Sequence, residues 1–201
     1  MEKTTIQVGS FEVNCTILSW GDTAWIVDPG AEATRIAALA VKAGLKPEAI
    51  LLTHAHFDHI GAIPGLQARW SGLPVYLHPA DEMVLIHRLN SFPPEYMPIA
   101  KPANIRDART LSGVRGLEVI ETPGHTPGGV CYRFPGEKLL LSGDTLFAGS
   151  AGRTDLPGGD YPTLKASLAK LAALPDDTEV IPGHGFFTTV GAEKESNPYL
   201  L

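Results

Sequence analysis

Four potential metal ligands stand within six residues of the chain, in the segment Thr53-His54-Ala55-His56-Phe57-Asp58-His59. The short apolar run Ala49-Ile50-Leu51-Leu52 comes shortly before it and predicts a buried strand. Pro64 fits the first turn of a helix that runs to about Trp70, so we expect the histidines in the loop between strand and helix. Clustered imidazole and carboxylate groups at the end of a strand indicate a metal centre.

Three further candidate ligands, His125, Asp144 and His184, each follow a glycine directly. Glycine permits backbone conformations and close approaches that other residues resist, and loops that converge on a small polar centre require both. No cysteine is among the seven candidates, which argues against a closed structural zinc site. The donor types suit zinc, iron or manganese. The remaining histidines, His78 and His87, fall outside this pattern, and we expect structural or surface roles for them.

The composition predicts one globular domain over residues 1–201, because 44% of the residues are hydrophobic and 19% are charged. Cys15 and Cys131 lack a nearby partner and are expected as small apolar residues in strands, which favours a cytoplasmic location. No signal-peptide pattern or transmembrane stretch is present, so no membrane partner is expected. A formal net charge of −6 with scattered basic residues argues against nucleic acid as a partner.

Periodicity predicts a chain of mixed strands and helices. Strands are expected at residues 5–8, 13–20, 23–27, 49–52, 75–77, 117–120, 130–134 and 138–141, with a last strand that ends in the run 180–185. Helices are expected at residues 32–43, 64–70, 81–89 and 162–174. The first three strands are expected to be antiparallel. The proline-rich stretch 90–104 is expected to be irregular. Its residues Phe92, Tyr96 and Met97 are expected to pack inside the protein, with a wall of a substrate cleft as the alternative.

The segment 53–59 resembles the H-x-H-x-D-H signature of the metallo-β-lactamase superfamily, and the later candidates match that family as well. The resemblance covers almost the whole chain and implies an α+β fold, a four-layer αββα sandwich with the metal site at one edge. It also implies a first metal bound by His54, His56 and His125, a second bound by Asp58, His59 and His184, and Asp144 as the bridge between them. Asp28 resembles the family's early aspartate, which supports the metal loop without being a ligand.

The stretches 149–160 and 182–198 are similar to those of small bacterial glyoxalase II-type proteins. This resemblance implies a hydroxyacylglutathione hydrolase-like thioesterase that acts on S-acylglutathione, such as S-lactoylglutathione, through a metal-bound hydroxide. The implied cofactors are two divalent ions, zinc in the first place with iron or manganese as alternatives, and Asp58 and Asp144 are the implied catalytic residues. Full-length glyoxalase II carries an added C-terminal helical domain, which these 201 residues do not include.

A persulfide dioxygenase acting on glutathione persulfide is the alternative function, because these enzymes share the Gly-Arg-Thr-Asp run. Such an enzyme would use one iron held by two histidines and one carboxylate, here His54, His125 and Asp144. The second set of candidate ligands favours the dinuclear hydrolase and leaves the alternative open. A cysteine-bearing β-lactamase is disfavoured, because it would place cysteine where this chain has Asp144.

Arg153, which closely follows the Asp144 loop, is the first candidate to bind an acidic, glutathione-like tail of the substrate. The alternative is that it pairs with Asp155 or Asp160 and only fixes the loop. The partner is expected to be a small-molecule thioester, and the sequence leaves the acyl group, the thiol and the oligomeric state open.

Overall fold

A computed structural model of the chain describes residues 1–200 and divides it into two compact units, Met1–Ala108 and Arg109–Leu201. Each unit has its own β-sheet. Helices in the described part of the chain are all too short, or too polar, to cross a membrane. The prediction of a single domain over residues 1–201 stays a prediction.

The first unit is built on a six-stranded sheet in the order β1-β2-β3-β4-β5-β6. Its strands are β1 (Glu2–Val8), β2 (Val13–Trp20), β3 (Thr23–Val27), β4 (Lys46–Leu51), β5 (Val75–Leu77) and β6 (Ile105–Asp107). β1, β2 and β3 pair antiparallel, which confirms the predicted opening. β3 to β6 pair parallel, and parallel neighbours need crossover connections. The helices of this unit are α1 (Ala33–Lys42), α2 (Phe57–Ile60), α3 (Ile63–Arg69) and α4 (Glu82–Leu85).

The core of the first unit joins its sheet to the crossover helices. Ile26 and Ile50 of the sheet are fully buried in one cluster with Ile36 of α1 and Leu66 of α3. Burial of each such side chain contributes roughly 1.5–3 kcal/mol. Because β3 and β4 are parallel neighbours, the loops that follow them begin side by side at one edge of the sheet, and the metal motif follows β4.

The second unit is built on a five-stranded sheet in the order β13-β12-β9-β8-β7 and a separate hairpin, β10-β11. Its strands are β7 (Glu118–Glu121), β8 (Val130–Phe134), β9 (Leu139–Gly143), β10 (Leu146–Phe147), β11 (Ser150–Ala151), β12 (Glu179–Pro182) and β13 (Thr188–Thr189). Its helices are α5 (Tyr161–Ala172) and α6 (Val190–Ser196). β9 and β12 are parallel. They therefore end at the same edge of the sheet, where Asp144 and His184 follow them.

The structure corrects the predicted helix over residues 81–89. The α-helix is only α4, because Met83, Ile86 and Leu89 are exposed and give the segment no continuous apolar face to bury. Sequence reasoning also missed several short elements: α2, α6, β6, β10, β11 and β13. Each has seven residues or fewer, and several have only two, which is too few to show a period.

The structure also separates the apolar residues of the irregular stretch. Phe92 and Met97 are 54% and 61% exposed, so the expectation that they pack inside the protein is wrong. Tyr96 is only 4% exposed, which confirms the expectation for that residue. Cys15 and Cys131 are buried in β2 and β8, as predicted. Burial is also the main reason why the pKa of the Cys15 thiol is raised far above its usual range.

Candidate metal centre

In the first unit, the loop after β4 brings the four ligands of the motif together. His54 and His56 lie in this loop, as predicted, whereas Asp58 and His59 lie in the short helix α2. All four residues are buried. The ring centroids of His54 and His59 are 4.1 Å apart, and those of His54 and His56 are 4.8 Å apart. The loop after β4 and the helix α2 therefore bring three imidazoles and one carboxylate close together within six residues of sequence.

Asp28 holds this loop from the end of β3. One carboxylate oxygen accepts the backbone N–H of Thr53 at 2.8 Å, and the other accepts the Thr53 hydroxyl at 2.7 Å. The second oxygen also lies 3.2 Å from Nδ1 of His59. The supporting role that the family resemblance implies for Asp28 is confirmed by these contacts.

The same network orients two imidazoles. A carboxylate can only accept, so the Thr53 hydroxyl must donate to Asp28 and can accept from Nδ1 of His54, which lies 3.1 Å away. Nδ1 of His59 faces the same carboxylate oxygen of Asp28 at 3.2 Å. The contact with Thr53 holds the proton of the His54 ring on Nδ1, which leaves Nε2 of that ring with the lone pair that a metal requires.

Two further residues hold the backbone of the motif, and sequence reasoning missed both. The buried carboxylate of Asp81 accepts the N–H of Ala55 at 3.0 Å. The Asn90 amide donates to the carbonyl of Ala55 at 2.8 Å and accepts the N–H of Phe57 at 2.9 Å. Their partners are backbone groups, which have no signature in the sequence, so only the structure could identify these contacts.

In the second unit, three loops bring His125, Asp144 and His184 together. One oxygen of Asp144, Oδ2, lies 3.5 Å from Nε2 of His125 and 3.6 Å from Nε2 of His184. Two of the glycines before these ligands have a positive φ, a backbone conformation that other residues resist: +131° at Gly124 and +49° at Gly143. A Cβ atom at Gly124 would also collide with the backbone of Leu164 in α5.

These distances fit a metal site. Nδ1 of His125 donates to the backbone carbonyl of Arg153 at 2.7 Å, so Nε2 of the neutral ring presents a lone pair. The carboxylate oxygen of Asp144 also presents lone pairs, and two such groups fit together when a cation lies between them. Ligands about 2.1 Å from a tetrahedral ion are about 3.4 Å apart, close to the observed separations.

Arg153 makes the ion pair that was predicted as its alternative role. Its guanidinium donates to both carboxylate oxygens of Asp155, at 2.6 and 2.7 Å, and both side chains are exposed. This pairing holds the pKa of Asp155 at about 2. Asp160 instead caps α5 by accepting the N–H of Thr163. The proposed contact of Arg153 with substrate stays a prediction.

The structure distinguishes the predicted ligands from the other histidines of residues 1–200. All seven predicted ligands belong to groups of histidine and aspartate donors that can hold a metal ion, whereas His78 and His87 belong to none. Nδ1 of His78 accepts the N–H of Ala80, and Nδ1 of His87 accepts that of Leu89. These local contacts agree with the structural roles expected for both.

The chain is similar in sequence to metallo-hydrolases. The family model of the metallo-beta-lactamase superfamily matches residues 8–184. A probable metallo-hydrolase of Bacillus subtilis, YqgX, is 42% identical, with 96% of this chain and 94% of that protein covered. The hydroxyacylglutathione hydrolase GloC of Haemophilus influenzae is 37% identical, with 97% and 96% covered.

Solved structures agree with this similarity. TTHA1623 in a di-iron-bound form matches with a TM-score of 0.91 and 40% identity, with 98% of this chain and 100% of that one covered. The B3 metallo-beta-lactamase BLEG-1 matches with a TM-score of 0.89 and 38% identity, with 99% of each chain covered. These matches confirm the predicted fold class.

Proposed function

The chain belongs to the metallo-β-lactamase superfamily, and from this membership we propose that it is a dinuclear metal-dependent thioesterase of glyoxalase II type. Its proposed substrate is an S-acylglutathione such as S-lactoylglutathione. The similarity to GloC, which is named a hydroxyacylglutathione hydrolase, supports this substrate class.

One observation carries the dinuclear proposal: a single oxygen of Asp144 is almost equally distant from Nε2 of His125 and from Nε2 of His184. In the proposed assignment these two histidines would bind different ions, and Asp144 would be a ligand of both. By the family assignment, the other ligands of the first ion would be His54 and His56, and those of the second would be Asp58 and His59.

Bound divalent ions would supply an acidified water and polarise the carbonyl oxygen of the thioester. The protein's own residues then have separate tasks. Asp28 keeps the rings of His54 and His59 in the orientation that presents Nε2. Asp58 accepts a hydrogen bond from the attacking water and aims its oxygen at the carbonyl carbon. The C–O bond forms, the C–S bond breaks, and the thiolate leaves and takes up the proton that the water has lost.

The first test measures hydrolysis of S-lactoylglutathione by the purified protein as isolated, after chelation, and after restoration with zinc, iron or manganese. We expect turnover that chelation abolishes and metal restores, with two ions per chain by elemental analysis. A sample with two ions bound and no thioester hydrolysis refutes the proposal. Nitrocefin is assayed in parallel, because BLEG-1 is named a β-lactamase.

Asp144→Ala tests the bridge. This variant is expected to lose most bound metal and most turnover, whereas Asp177→Ala, which removes an exposed aspartate paired with Lys138 in the same unit, should retain both. Full activity and two bound ions in Asp144→Ala rule out a bridging role.

A persulfide dioxygenase, which would use a single iron, is the second candidate. The similarity to a protein solved in a di-iron-bound form supports iron as a metal to be tested. The iron-restored sample is therefore also given glutathione persulfide, and oxygen consumption is followed. Oxygen uptake without thioester hydrolysis selects this candidate over the hydrolase.

A further inference from the structure

We propose that an aromatic wall beside the metal motif binds an uncharged, apolar group of the substrate. We define the aromatic wall as Phe11, Phe57, Phe92 and Tyr96. The inference rests on the proposed function, because it specifies which thioesters that site accepts.

The four rings of the aromatic wall form one contact cluster. The Phe11 centroid lies 5.4 Å from that of Phe57, 5.2 Å from that of Phe92 and 5.5 Å from that of Tyr96, all edge to face. Phe57 stacks on Phe92 at 6.1 Å and contacts Tyr96 at 5.2 Å. Backbone hydrogen bonds in both directions between Phe92 and Tyr96 fix the outer part of the cluster. Aromatic pairs prefer such edge-to-face and offset-stacked geometries, so the four rings hold one another in defined orientations.

The wall is continuous with the metal motif. Phe57 stands between the predicted ligands His56 and Asp58, and its N–H donates to Asn90. Phe57 and Tyr96 are largely covered, whereas Phe11 is 38% exposed and Phe92 more than half exposed. A thioester held at the motif therefore has an open aromatic surface next to it, and that substrate is the occupant we assign to the wall.

The charges near the wall select the kind of group it can take. Burial is the largest cause of the raised pKa of Tyr96. Glu95 places a carboxylate beside the wall, where it accepts the N–H of Ser10, the residue before Phe11. An anionic group such as the carboxylates of glutathione would be repelled here, so the aromatic wall fits an uncharged apolar chain or ring.

Either side of the thioester can carry that apolar group, and two substrate series distinguish them. In the first, the thiol is N-acetylcysteamine and the acyl group is acetyl, butanoyl or octanoyl. In the second, the acyl group is acetyl and the thiol is N-acetylcysteamine, benzyl mercaptan or glutathione. Removing a methylene from water favours binding by up to about fourfold. We expect kcat/KM to rise at least about tenfold either from acetyl to octanoyl in the first series or from N-acetylcysteamine to benzyl mercaptan in the second, and the series that rises identifies the side bound.

Phe92→Ala should reduce that gain from about tenfold to less than about threefold. Phe92→Leu, which keeps an apolar side chain, should retain an intermediate gain. Tyr161→Ala removes an aromatic residue of similar exposure from the second unit and should retain the full gain. An equal loss on the short and long substrates in Phe92→Ala, or a flat profile in the wild type, overturns the inference.

A binding measurement separates this inference from the proposed function. Calorimetry is used to compare S-methyl- and S-octyl-N-acetylcysteamine, two thioethers that cannot be hydrolysed. If the octyl compound binds more tightly than the methyl compound, and this difference is lost in Phe92→Ala and kept in Tyr161→Ala, the proposed role of the aromatic wall is supported. This holds even if no thioester is hydrolysed, because the absence of hydrolysis refutes only the proposed thioesterase activity. Equal affinities for the two thioethers overturn the inference even if hydrolysis is fast.

Discussion

Replacing Asn90 by alanine is expected to weaken metal binding by the first unit's motif. The amide of Asn90 joins the carbonyl of Ala55 to the N–H of Phe57, on either side of His56. Asn90 and Ala55 are both buried, so water does not readily replace the lost partner. The loop that carries the ligands therefore loses one of the contacts that hold its shape before any metal binds.

The size of the effect follows from these two hydrogen bonds. Each contributes about 1 kcal/mol net, so their loss costs about 2 kcal/mol. Since about 1.4 kcal/mol corresponds to a tenfold change in affinity, the variant should bind the metal about 30-fold more weakly if the whole cost is expressed in binding. This lies within the roughly 10- to 100-fold range typical of residues that support metal ligands.

The assay is competition with a chelator of known affinity, combined with thermal unfolding of the apo and metal-loaded protein. Gln67→Ala is the matched control, because the Gln67 amide also makes two hydrogen bonds, to the carbonyls of Leu73 and Ala103, away from the motif. The control should lower the stability of the apo and loaded forms equally and leave metal affinity unchanged. Equal metal affinity in Asn90→Ala and the wild type would refute the argument that Asn90 shapes the loop.

Three other predictions concern charge and burial. The pKa of Asp155 should be near 2 by NMR titration and return toward about 3.9 in Arg153→Ala. Because the folded-state pKa is depressed, the ion pair stabilises the folded protein above the pKa that Asp155 has in the unfolded state, and this stabilisation is lost as the pH falls through about 2. The same Asp155 pKa in the wild type and in Arg153→Ala would contradict the ion pair between these two residues. Glu193→Ala should lower the free energy of unfolding in urea by about 2–4 kcal/mol, because this buried carboxylate accepts three hydrogen bonds; an unchanged midpoint would contradict that role. Cys15 should react with a thiol reagent only as fast as the protein unfolds, and rapid reaction of the folded protein would show that it is accessible.

The sequence was sufficient where the physical cause is local. The alternation in β1 to β3 reports the two faces of each strand, so their bounds and antiparallel pairing could be predicted. The four ligands of residues 53–59 could be recognised because their spacing is itself the signal. The apolar face of α5, with Leu164, Leu168 and Leu171 buried, follows from the helical period in the same way.

The sequence was insufficient where the partner is distant or has no side chain. Asp81 and Asn90 bind backbone groups 26 to 35 residues away, and no pattern of residue types marks such contacts. The exposure of Phe92 had a different cause. Aromatic residues are usually buried, and only the arrangement of the neighbouring rings shows that this one stays open to solvent.

Because His125 contacts the main chain of residue 153, a substitution at that position can change the preference for an acidic substrate without changing the tautomer of the His125 ring. The hydrogen bond goes to the main-chain carbonyl of Arg153, while the guanidinium of the same residue points to Asp155. The carbonyl is present whatever side chain occupies the position. Related proteins can therefore vary the residue at 153, and with it any preference for an acidic substrate, while inheriting the same imidazole tautomer at the ligand.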